Sequence, residues 1–119
     1  MQNRNVTNSF REWLREANLN EMSPSYTPEK TGLKEFIWVS AKMGSHGPRI
    51  KVYESLPNGI NFSVTIEDKP RVVAGKCFVN TKELNRIFDF IILNKTNLLL
   101  YWNECMSSAQ ITANIEKLK

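Results

Sequence analysis

Histidine and cysteine are scarce in this chain: His46 stands alone among 119 residues, with Cys77 and Cys105 as the two thiols. Two cysteines without CxxC spacing and one imidazole do not make a standard zinc site. The carboxylates Glu35, Glu54, Glu67, Asp68, Glu83 and Asp89 show no ligand spacing around His46. The sequence therefore implies no metal and no cofactor. It also lacks a P-loop, a GxSxG elbow, a GxGxxG turn and an HExxH helix. No apolar run approaches the ~20 residues of a membrane span. The longest strongly apolar stretch, Leu84 to Trp102, is interrupted by Asn94-Lys95-Thr96-Asn97. MQNRNVTNSF at the start has no apolar h-region. These absences lead to the expectation of a cytoplasmic protein with reduced thiols and no membrane partner.

Charge of one sign is not concentrated either. Residues 1–34 hold five Lys/Arg against four acids, 35–76 six against four, and 77–119 five against four, within a net charge of +4. No basic tail marks a nucleic-acid arm, so such a role would require local clustering. With 41% hydrophobic residues the chain suffices for one packed core.

Residues 9–18 read as a short amphipathic helix. Ser9 and Glu12 have capping-box spacing, and Phe10, Trp13, Leu14 and Ala17 share one face. Residues 19–34, with Pro24 and Pro28, read as a linker. Strands follow at 35–40, 49–54 and 60–66, with Ile60, Phe62, Val64 and Ile66 inward and Asn61, Ser63 and Thr65 outward. Pro57-Asn58-Gly59 marks a turn between antiparallel neighbours, and Pro70 to Ala74 an edge strand. Asn80 or Thr81 caps a helix to about Leu93 that is apolar over most of its circumference, with Leu84, Ile87, Phe88, Phe90, Ile91, Ile92 and Leu93. Thr96 or Asn97 caps a second helix containing Leu98, Tyr101 and Trp102, and Ile111, Ile115 and Leu118 suggest a weak third. The expected class is α+β: a three- to four-stranded antiparallel sheet on C-terminal helices. The expected organisation is an N-terminal helix and linker (1–34), a core (35–106) and a C-terminal tail, helical in part (107–119).

The chemistry-bearing stretch is Lys42-Met43-Gly44-Ser45-His46-Gly47-Pro48-Arg49-Ile50-Lys51-Val52-Tyr53, a glycine- and proline-bearing loop feeding a strand. Arg49, Lys51 and Tyr53 alternate onto one strand face. With His46 they are the minimum set for metal-free RNA cleavage: an acid/base, cations for phosphate charge and a phenol. Ser63 and Thr65 could add hydroxyls, and Lys42, Lys69 and Arg71 more charge. Against this stands the plainer reading of solvated cations on an exposed sheet face. If Arg49, Lys51, Lys69 and Arg71 line that face, they match about four phosphates. Trp38, Trp102 and Phe62 read as core. Trp13 is the aromatic anchor of a partner-binding helix in the other reading.

The segment Phe36-Ile37-Trp38-Val39-Ser40, Lys42-Met43-Gly44 and His46-Gly47-Pro48-Arg49-Ile50-Lys51-Val52 resembles a group of small bacterial proteins of undefined function. The likeness continues through Phe62-Ser63-Val64-Thr65-Ile66, Pro70-Arg71-Val72-Val73, Leu93-Asn94 and Leu98-Leu99-Leu100-Tyr101-Trp102. More distantly it resembles a bacterial domain of unknown function with a His-x-Pro-His-x-His hairpin and a C-terminal Leu-x-x-x-Trp. Where that domain has paired histidines this chain has Arg49 and Lys51, so the histidines' roles do not carry over. The resemblance covers residues 36 to about 104 and implies a bacterial or phage setting; genes of the broader domain often lie beside small partners, as toxin–antitoxin pairs do. The expected function is thus an interaction or regulatory protein that binds a protein partner through the Phe10, Trp13 and Leu14 face and the weak C-terminal helix, with a toxin–antitoxin component as one form. The alternative is a metal-independent RNA-cleaving toxin or nucleic-acid-binding module using His46, Arg49, Lys51 and Tyr53.

Overall fold

Alternation of apolar and polar residues builds the sheet, and a computed structural model describing residues 24–42, 45–55 and 59–119 gives its order. Five strands, β1 (Ser25–Tyr26), β2 (Phe36–Val39), β3 (Arg49–Tyr53), β4 (Asn61–Thr65) and β5 (Val72–Gly75), lie side by side in chain order. Every neighbouring pair is antiparallel. Ile37, Val39, Ile50, Val52, Phe62 and Val64 are fully buried on one face. They share a core with Ile87, Phe90 and Ile91 of α2 (Thr81–Leu93), Leu98 and Tyr101 of α3 (Lys95–Trp102), and Ile111 of α4 (Ser108–Asn114). The α+β class and the antiparallel sheet on helices are therefore as expected.

The strand count is corrected from three or four to five. The additional strand, β1, arises in the segment expected as linker, where Ser25 and Tyr26 pair with Trp38 and Ile37. Short α1 (Pro28–Thr31) follows, with Pro28 in its first turn and Gly32 in the left-handed conformation at φ 85°. That backbone favours glycine, and a Cβ on Gly32 would run into the Leu118 carbonyl. Thr31 and Leu33 are buried beside it. Two proline signals masked the strand, because only two residues of it are paired. The N-terminal helix expected at 9–18, with Phe10, Trp13 and Leu14, lies outside the described residues, as do Met43, Gly44, Pro57 and Asn58.

The C-terminal stretch belongs to the same core. Ser107 and Gln110 form a reciprocal capping box for α4, and Leu118 N–H donates to the Thr31 carbonyl at 2.8 Å. Tyr26 Oη meets Thr112 Oγ1 at 3.0 Å, and burial pushes the Tyr26 phenol up to about 12. The helix after Leu93 starts at Lys95, earlier than the caps expected at Thr96 or Asn97. Asn94 does the joining: its buried side chain donates to the Phe90 and Glu116 carbonyls (3.1 and 3.0 Å) and accepts from Glu116 N–H (2.7 Å). Three hydrogen bonds are what allow this polar residue to sit in the interior.

Two inward assignments fail at element ends. Ile60 is half exposed because it precedes β4, outside the alternating ladder. Ile92 and Leu93 are likewise exposed, so α2 presents an apolar stripe and not an all-round apolar surface. Ile91 is fully buried and Phe88 partly so.

Candidate functional site

The face of the sheet turned away from the helices carries the other half of each alternation. Register places Trp38 opposite Lys51, Lys51 opposite Ser63, and Ser63 opposite Ala74. These four side chains form one row across four strands. Ala74 and Gly75 leave little bulk at the β5 end. Gly75 has φ 82°, and a Cβ there would approach the Asn61 carbonyl at 2.5 Å, so side chains other than glycine are disfavoured. A register shift between Ser63 and Val64 marks a bulge beside this row.

The row is the floor of a cleft of about 340 Å³ lined by Trp38, Ser40, His46, Arg49, Lys51, Asn61, Ser63, Ala74, Gly75 and Trp102. The loop carrying His46 is tied down at its start, where Lys42 N–H donates to the Trp102 carbonyl at 2.8 Å. At its other end the Pro48 carbonyl accepts from Ile66 N–H at 3.0 Å. The end of α3 and the β2–β3 loop thereby meet at one wall. Lys51 Nζ lies 5.1 Å from the centre of the Trp38 ring, a cation–π contact. Arg49 Nε is buried and has no hydrogen-bond partner among the described residues. Among the described residues no acid lines this cleft, and Arg49 and Lys51 make a positive contribution to its field.

Three of the four residues expected to carry chemistry, His46, Arg49 and Lys51, therefore share one cleft. Tyr53 does not join them. It lies on the same face, edge-on to Trp38 with ring centres 6.4 Å apart, but is 7% exposed and outside the lining. Burial raises its phenol pKa further from neutrality. Lys42 is exposed and outside the lining. The expected four-cation stripe is also broken. Arg71 pairs with Glu67 (Nε to Oε2, 3.1 Å) in the turn between β4 and β5, Thr65 bonds the same carboxylate, and Lys69 is exposed on that turn. The acids there, Glu67 and Asp68, offset the bases; Asp68 pairs with Lys95 at 3.0 Å.

Sequence reasoning placed Trp38 in the core, yet it stands on the outer face. Its signal was available in β2, where Ile37 and Val39 alternate against Phe36, Trp38 and Ser40. Trp102 is buried as expected and also lines the cleft, while Phe62 is fully in the core. Ser40, Ala74 and Gly75 carried no chemical signal. They enter through register and small size.

A second titratable feature lies elsewhere, where β2 begins and α2 starts. Glu35 and Glu83 are both buried, at 6% and 8% exposure. Burial, and then the neighbouring Glu83 carboxyl, push Glu35 up to about 7. Cys77 and Cys105 are exposed and unbridged. No helix among the described residues is long and apolar enough to cross a membrane. Comparison with protein-family models, with curated proteins and with solved structures finds no match to this chain.

Proposed function

We propose that this protein is a nucleic-acid-binding module that engages a single strand through the outer-face cleft. The observation that carries the reading is the convergence of His46, Arg49 and Lys51, with Trp38, on one concavity that no acid among the described residues lines. Cations meet phosphates, and an aromatic beside them offers a face to a base; this pairing recurs wherever proteins hold single strands. Binding is favoured over cleavage. Strand scission needs one group to take a proton and another to give one. The lining offers one imidazole, His46, and no carboxylate among the described residues, and Tyr53 is withdrawn from the cleft. The test is equilibrium binding of a single-stranded RNA of roughly 10 nucleotides. Reversal of Arg49 and Lys51 to glutamate is expected to abolish binding while the RNA stays intact with the unaltered protein.

One feature favours a protein partner instead. Ile92, Leu93 and Leu100 are exposed on α2 and α3, at 49%, 44% and 37%. A partner covering them would fit the interaction role expected from Phe10, Trp13 and Leu14, and a toxin–antitoxin setting like that implied by the resemblance. Replacing Ile92 and Leu93 with serine would then release the partner and leave RNA binding unchanged.

A further inference from the structure

The cleft differs from a general basic surface in size and composition. It spans about 340 Å³, near the lower end for sites that take a small organic molecule and larger than a bare phosphate requires. Its cations and its aromatic residues are not segregated. Lys51 Nζ rests 5.1 Å from the Trp38 ring centre, and both belong to the same cross-strand row. In and beside this row stand groups suited to the edges of a base or sugar: the Ser63 hydroxyl within it, and next to it the Ser40 hydroxyl and the Asn61 amide, which both donates and accepts. In the turn between β4 and β5 and at the start of α3, Arg71 and Lys95 are instead paired with Glu67 and Asp68.

We propose that the unit recognised is one nucleotide, a nucleoside monophosphate moiety taken whole into this cleft, either free or splayed out from a single strand. This rests on the nucleic-acid reading above and deepens it. Arg49, Lys51 and His46 hold the phosphate, with Arg49 Nε as a buried donor not engaged by the described residues. A phosphate that draws the Lys51 ammonium toward itself uncovers the Trp38 ring for the base, while small Ala74 and Gly75 at the far end of the row leave room for the rest of the nucleotide. Duplex nucleic acid is excluded because its bases are already stacked and its phosphates are spread over a surface, whereas these cations face one recess.

The experiment is a competition titration, following tryptophan fluorescence and displacement of a labelled single-stranded RNA of roughly 10 nucleotides. The competitors are the four common ribonucleoside monophosphates, the matching nucleosides, and inorganic phosphate. At least one monophosphate is expected to displace the RNA, about tenfold better than its nucleoside or phosphate alone. Lys51→Gln is expected to weaken it, and so is Ala74→Leu, which fills the cleft from an exposed position on the edge strand. Thermal unfolding of each variant separates lost binding from lost folding. If the RNA binds and no monophosphate displaces it, or phosphate competes as well as the nucleotide, the one-nucleotide proposal is overturned and the nucleic-acid reading stands. If neither RNA nor monophosphate binds, both fall.

Discussion

The two faces of this sheet are made of the same strands and differ in what they ask of each residue. On the helix side Ile37, Val39, Ile50, Val52, Phe62 and Val64 are wholly apolar and fully buried. On the far side Trp38, Lys51, Ser63 and Ala74 stand in register as an aromatic, a cation, a hydroxyl and a methyl. Burial explains the first set completely. It does not explain the second, where a cation is held over an aromatic ring and a serine is 4% exposed at the bottom of a cleft. One face is occupied with holding the fold together, and the other is free to be specific.

Truncation on the helix side should be the costliest change. Phe62 is fully buried and stacks edge-on with Phe78 at 5.2 Å, so Phe62→Ala is expected to lower unfolding stability by about 3–5 kcal/mol. The denaturant midpoint reads this directly, and a loss under about 1 kcal/mol would mean that the two faces are not so unlike.

The buried Glu35–Glu83 pair is an ionisable exception beside the apolar face, and pH should expose it. Because Glu35 titrates at about 7 when folded against 4.5 as an isolated group, the folded protein holds its proton more tightly than the unfolded chain. Stability is thus full below pH 4.5 and falls as pH rises through 7. The loss is on the order of 2–3 kcal/mol. Denaturant titrations at pH 5 and pH 8 check the sign, and Glu35→Gln should flatten the difference.

Asn94 tests whether polar groups can also be structural. Asn94→Ala removes three hydrogen bonds and strands the Glu116 N–H, for an expected loss of about 1–3 kcal/mol, read by thermal unfolding. The smallest effect belongs to the outer face. Lys51→Ala gives up the contact with Trp38 and should cost about 0.5–1 kcal/mol of stability, while single-strand binding is strongly weakened.

This contrast also explains what the residues disclosed in advance. Alternation along β3 and β4 placed Arg49, Lys51 and Ser63 on one face and Ile50, Val52, Phe62 and Val64 on the other, because a period of two leaves no choice once one face is buried. The edge position of β5 followed from Pro70. Strand β1 was illegible because two paired residues between prolines carry no period. Most of the cleft was illegible for a related reason. Ala74, Gly75 and Trp102 reach it through the β4 bulge, the left-handed Gly75 backbone at the end of β5 and the Lys42–Trp102 hydrogen bond, which are tertiary facts with no local pattern.

The salt dependence of single-stranded RNA binding tests the central claim most directly. With the two cations Arg49 and Lys51 on the cleft, the logarithm of affinity should fall by roughly 0.7–1.4 for each tenfold rise in salt, since each phosphate contact on a single strand contributes about 0.7. Reversal of Arg49 and Lys51 to glutamate should abolish binding at low salt while the protein stays folded by thermal unfolding. An affinity indifferent to salt, or one that survives the reversal, would contradict the assignment of the outer face as the binding face.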